Sequence, residues 1–140
     1  MTVHFFFTDT KINLTQRTLL KKFIEGIFKK EGKQLSSLNY IFCSDKYLLD
    51  INQRFLKHDY YTDIITFDIS EKGMPVEAEI YISTDRVKEN AKIEGKTTTN
   101  ELHRVLFHGV LHLCGYGDKG KAQAKQMRSK EDHYIKKYFS

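Results

Sequence analysis

His108 and His112 stand four residues apart inside the apolar segment Thr98 to Cys114, a spacing that sets two imidazoles one turn apart on the same side of a helix. With Glu101 at 0° and about 100° per residue, the two fall at about −20° and about +20°. Imidazoles so placed can offer lone pairs to one divalent ion without bending the backbone, which is the geometry of a zinc-binding HxxxH. An isolated pair of this kind is more often two core histidines, each satisfied by a hydrogen bond. The residues that follow favour the metal. Gly115 can end the helix in a left-handed conformation, and Tyr116-Gly117 lets the chain double back to bring Asp118 to the mouth of the histidine face. His108, His112 and Asp118 would make three protein ligands and leave the fourth zinc position open to water, as a catalytic site requires. Cys114 is a soft donor, but it lies about 200° around the helix from His112 and reads as core. His103 points off the stripe, His4 sits in a strand and His133 in a charged C-terminal helix.

The elements that must position these residues follow from periodicity and punctuation. Val3 to Phe7 reads as a first strand. Leu14 to Lys30 repeats Leu19, Leu20, Phe23, Ile24, Ile27 and Phe28 at the helical period, and Gly32 closes that helix. Leu38 to Cys43 is a second strand, and Asp45 to Phe55 a short helix capped by Ser44. Ile64 to Ile69 is a third strand, Glu71 to Pro75 a turn, and Val76 to Ser83 a fourth strand. Asp85 to Ile93, Thr98 to Cys114 and about Lys121 to Tyr138 read as three further helices. Thr98-x-x-Glu101 has the spacing of a capping box. Two βα units followed by a hairpin argue against a purely parallel sheet. The expected fold is α+β: a mixed four-stranded sheet packed with about five helices, in a single domain over residues 1–140.

Composition agrees with that size. The 140 residues are 40% hydrophobic, with 10 Phe and 8 Tyr but no Trp, enough to build one core and too much for a disordered chain. The longest unbroken apolar run is Tyr40 to Cys43, far short of a membrane span, and the first residues resemble no secretory leader. These features predict a cytoplasmic protein without a membrane partner. Twenty-three Lys and Arg against 18 Asp and Glu leave a net charge of +5, a balance suited to a phosphate-bearing partner. Cys43 and Cys114 are 71 positions apart and read as reduced thiols.

The segment His108-Gly109-Val110-Leu111-His112-Leu113-Cys114-Gly115-Tyr116-Gly117-Asp118 resembles the HGxLHLxGYDH signature of the YbeY family of bacterial ribosomal-RNA maturation endoribonucleases. Upstream, Asn52 to Phe67 resembles the family segment N-x-x-YRxKDxxTDVLSF, and Glu79 to Ser83 its GDIxIS strand. The resemblance implies a zincin-like metal helix and one zinc ion. It also implies a single-strand-specific endoribonuclease acting in small-subunit ribosomal RNA 3′-end maturation and ribosome quality control through a metal-activated water. Ribosomal RNA would be the partner, with small-subunit proteins beside it. Two positions depart from the family pattern. Asp118 stands where the family's third ligand is usually a histidine, and carboxylate oxygen is an acceptable zinc donor. The family's arginine aligns with Leu56 and its lysine with His58, so the arginine's role has no counterpart there. Gly109 occupies the place where zincin metalloproteases carry a glutamate base, which disfavours peptide hydrolysis by that scheme.

Around the expected site, His58 and Asp59 are candidate general bases, while Asp63 reads as turn support before a strand. Lys57 is a candidate RNA contact, and Lys119 and Lys121 flank the site as loop charges. The competing reading is a non-catalytic RNA-binding ribosome assembly factor with a structural or vestigial metal site. A metabolite hydrolase would need a deep pocket.

Overall fold

A computed structural model describes residues 2–140. Its elements are β1 (Val3–Phe7), α1 (Arg17–Lys30), β2 (Leu35–Cys43), α2 (Asp45–Leu56), β3 (Ile64–Asp68), β4 (Val76–Ser83), α3 (Thr84–Glu94), α4 (Thr98–Leu113) and α5 (Gly120–Phe139). The strands form one mixed sheet in the order β1-β2-β4-β3. β1, β2 and β4 run parallel, while β3 pairs antiparallel with β4, Ile64 opposite Ile82. The hairpin expected between the third and fourth strands therefore forms, and it leaves β3 as an edge strand.

Alternation along the strands divides the core in two. Leu38, Tyr40 and Phe42 of β2 and Ala78, Ile80 and Ile82 of β4 point to one face, where they meet Leu20, Ile24, Ile27 and Phe28 of α1 and the apolar side of α4. Cys43, Ile65, Phe67 and Tyr81 point to the other, where α2 covers them with Leu48 and Ile51. The Tyr40 hydroxyl, buried in the main core, donates to the Leu106 carbonyl at 2.9 Å and ties α4 to the middle of the sheet two residues before His108.

Local chemistry explains most boundaries. Ser44 caps α2 by accepting from the Tyr47 amide, and Gly32 takes the positive φ of 77° that ends α1. Three sequence expectations need correction. α1 begins at Arg17 rather than Leu14, because Gln16 adopts a left-handed conformation; Leu14 is buried before the helix starts. Leu19 is exposed rather than part of the apolar face. The cap of α4 is Thr97, whose hydroxyl accepts from the Asn100 amide at 3.0 Å, not Thr98. That shift frees Glu101 from any capping role. Both cysteines are free thiols whose pKa burial pushes up to about 12, and Cys43 is fully buried while Cys114 is half-buried.

Candidate active site

The histidine face of α4 looks across a cleft toward the start of β3 and the first half of α5. The cleft has a volume of about 490 Å³, and its lining includes Asp63, Glu101, His108, His112, Asp118 and Glu131. α4 can approach the sheet this closely because of Gly109: a Cβ there would stand 2.7 Å from Ile80 Cδ1 and 3.2 Å from Ile64 Cδ1. The residue that disfavours a metalloprotease mechanism thus has a packing reason for being glycine.

His108 is held from both sides. Its Nδ1 lies 2.6 Å from Oε2 of Glu131, and its Nε2 lies 3.6 Å from Oδ2 of Asp118. Glu131 is buried, and Arg104 reaches its other oxygen at 3.0 Å while also donating to Asp132 at 2.7 Å. Burial alone would lower the pKa of His108. The hydrogen bond and charge of Glu131, with Asp118 and Asp63 adding to them, outweigh it and raise the pKa above the ordinary histidine value. His112 is exposed at the mouth of the cleft, one turn beyond, and makes no hydrogen bond among the described residues.

Asp118 reaches the cleft because its loop is fixed. Gly115 takes a φ of 106° directly after α4, and the Tyr116 hydroxyl then donates to Glu31 Oε1 at 2.7 Å. The Tyr134 hydroxyl and Lys130 Nζ both reach the other oxygen of Glu31. One carboxylate at the end of α1 therefore gathers α5 and the turn that carries Asp118. Past that turn, the Lys119 amide donates to Gln123 Oε1 at 3.1 Å.

Two further carboxyl groups face the cleft. Burial pushes Asp63 above its ordinary pKa against the pull of His108, and burial likewise raises Glu101, with the Asp63 charge adding to it. Asp63, read from sequence as turn support, does anchor a backbone contact, since its carbonyl accepts from the Ser83 amide at 2.9 Å. Its side chain nonetheless lines the cleft. His58, Asp59 and Lys57 do not. They lie in the exposed loop after α2, where His58 Nδ1 is 2.9 Å from the Tyr60 hydroxyl and Asp59 accepts from Gln53 at 2.5 Å. Lys119 and Lys121 are exposed as well. The cations of the cleft are instead Arg104 and Arg128.

Sequence reading missed Glu101, Arg104, Arg128 and Glu131. Glu101 and Arg104 carried a signal: they lie seven and four residues before His108, on the same helical face. Nothing local distinguished Arg128 or Glu131 from the other charges of α5. Among the described residues, no three His, Cys, Asp or Glu side chains are gathered closely enough to hold a metal ion.

Comparison with known proteins gives this arrangement a family. The profile described as endoribonuclease YbeY matches residues 4–139. The chain is 53% identical to the endoribonuclease YbeY of Cytophaga hutchinsonii over 131 residues, which cover 94% of this chain and 92% of the relative. It is 42% identical to that of Porphyromonas gingivalis over 133 residues, covering 95% and 87%. The solution structure of TM1509 from Thermotoga maritima superposes with a TM-score of 0.67 at 30% identity, covering 98% of this chain and 89% of that one. Profile, relatives and fold agree over nearly the whole length, and the chain belongs to the YbeY endoribonuclease family.

Proposed function

We propose that this protein is a metal-dependent endoribonuclease that cuts single-stranded ribosomal RNA during small-subunit 3′-end maturation and quality control, with His108, His112 and Asp118 holding one zinc ion. The observation that carries the metal assignment is the double engagement of His108. Glu131 occupies Nδ1, which leaves Nε2 as the free donor, and the carboxylate–histidine contact is the usual outer support of a metal-bound imidazole. The 3.6 Å between Nε2 and Asp118 Oδ2 is too long for a hydrogen bond. An imidazole nitrogen and a carboxylate oxygen facing each other without a hydrogen bond would suit holding one zinc ion between them. His112, which lines the same cleft and is exposed and free of hydrogen bonds among the described residues, would be the third ligand. Two imidazoles and a carboxylate suit zinc and also accept other divalent transition metals.

When bound, the ion supplies Lewis acidity at a phosphodiester and makes water easier to deprotonate. The chain's own groups do the rest. Arg128, half exposed on α5 and only weakly engaged with Glu94 and Glu131, is available for a phosphate, a service that Leu56 cannot give. Asp63 and Glu101 have raised pKa values and can hold a proton for the leaving oxygen. His58 and Asp59 act in this scheme only if the exposed loop moves inward on binding RNA. An enzyme acting on ribosomal RNA works in the cytoplasm.

Elemental mass spectrometry on untagged protein, paired with single-turnover cleavage of a labelled single-stranded RNA, tests the reading. The expected result is about one zinc per chain, sharply reduced in Asp118→Ala and His112→Ala, with cleavage abolished by chelator and by His112→Ala. RNA binding without metal-dependent cleavage would replace it with the assembly-factor reading.

A further inference from the structure

The chain from the end of α2 to the cleft carries an unusual density of solvent-facing rings. Phe55 is 63% exposed, Tyr60 55% and Tyr61 54%. Exposed aromatic rings gathered on one short stretch of chain mark a candidate interaction surface. These rings are not loose. The His58 ring stacks on that of Tyr60 with centroids 5.1 Å apart and planes 19° from parallel, and Asn52, buried in α2, donates to the Tyr60 carbonyl at 2.9 Å. The Arg86 guanidinium sits 5.3 Å from the centre of the Tyr61 ring and is itself fixed by Asp45 at 2.6 Å. Both tyrosines are thus oriented from behind, with the rest of each ring open.

Position gives the patch its meaning. Thr62 and Asp63, the next two residues, line the cleft, so Tyr61 lies within about 7 Å of Asp63 along the backbone. Lys57, three residues before Tyr60 in the same loop, is exposed and has no ion pair among the described residues, so the loop also carries a cation. Flat, exposed, pre-oriented rings on a loop that carries a cation suit unpaired nucleobases, whose π-faces stack irrespective of sequence. We propose that Tyr60 and Tyr61 form a base-stacking site for the unpaired nucleotides flanking the phosphodiester held in the cleft. This rests on the endoribonuclease reading for the direction of the strand, and it adds a reason for single-strand preference: bases paired in a duplex cannot turn their faces to these rings.

Binding is measured by fluorescence anisotropy with a labelled 12-nucleotide single-stranded RNA on the protein as purified, at low temperature and with the RNA shown intact on a gel after each titration. Tyr60→Ala and Tyr61→Ala should each weaken it roughly tenfold, in line with the loss of one stacked base. Tyr60→Phe, which keeps the ring, should bind within about twofold of the parent protein. A duplex of the same length, or an RNA with abasic linkers, should bind weakly and be indifferent to these substitutions. The protein has no Trp, so Tyr60→Trp also installs a lone indole whose emission should be quenched by the single strand. Unchanged affinity in both alanine variants overturns the stacking site, as does equal loss for single strand, duplex and abasic RNA. A parent protein that binds no RNA overturns it too. Cleavage is scored separately. Intact cleavage with indifferent tyrosine variants removes this inference alone, whereas tyrosine-dependent binding without cleavage removes the nuclease reading alone.

Discussion

Glu131 Oε2 and His108 Nδ1 lie 2.6 Å apart although 23 residues separate them in sequence. The contact fixes which nitrogen of His108 is free, because a ring whose Nδ1–H donates to a carboxylate presents Nε2 as a lone pair. Arg104 steadies the carboxylate from behind at 3.0 Å.

At the zinc site proposed above, Glu131→Gln should therefore weaken metal binding by about 10- to 100-fold, the usual cost of losing an outer-sphere partner. Competition with a chromophoric chelator measures it. The fold should persist, since Arg104 keeps its contact with Asp132.

A second prediction concerns Glu31, the carboxylate that accepts from Tyr116, Tyr134 and Lys130. Burial pushes its pKa up, but the Tyr134 and Tyr116 hydroxyls and Lys130 together hold it below the ordinary value. A lowered folded-state pKa contributes stability that is fully present above the unfolded value of about 4.3 and is lost as pH falls through the folded one. Glu31→Ala should cost about 2 kcal/mol at neutral pH, as for hydrogen bonds to a buried charge. It should also flatten the acid limb of the stability profile and reduce metal retention at the proposed site, because Tyr116 no longer anchors the Asp118 turn. Urea denaturation across pH, with metal content alongside, checks all three.

Packing at Gly109 supplies a third. Ile80 is fully buried, so a side chain at position 109 can displace it only by shifting α4 from the sheet. Gly109→Leu should destabilise by about 3 kcal/mol, at the upper end of typical overpacking costs. Thermal denaturation should show the loss with metal present or absent.

His103 gives a fourth, of opposite origin to His108. It is buried against Tyr138 and Phe139, with Nδ1 2.7 Å from the Thr99 carbonyl. Burial lowers its pKa, and the Thr99 contact only partly offsets that. Between the folded and unfolded values the unfolded chain binds more protons, so this histidine's contribution is complete above about pH 6.5 and declines as pH falls. Relative to the native chain, His103→Phe should lose less stability between about pH 7 and pH 5. Taking the difference between the two proteins removes the contribution of His108, whose raised pKa acts in the other direction.

Much of this was legible from neighbours in sequence. Period-two and period-3.6 patterns identify all four strands and five helices to within a few residues, because each element buries one face. His108 and His112 share a helical face by spacing alone, and the Gly115 turn that returns Asp118 to that face is a local matter of backbone conformation. The errors were local competitions. Thr97 and Thr98 are both able caps, and only the path of the chain leaving Gly95 decided between them. Leu19 fits the helical period of α1 but faces outward, where only the position of α5 could have covered it.

What the tertiary structure alone decided is the chemistry around those histidines. Glu131 and Arg128 enter the cleft because α5 folds back across α4, and Asp63 faces it because β3 is the edge strand beside α4. Glu31 reaches Tyr116 and Tyr134 across 85 and 103 residues. The helical period reports which residues share a face of one element. It carries no information about which charges a second element will bring opposite that face, since buried charges are chosen by their partners rather than by their neighbours in the chain.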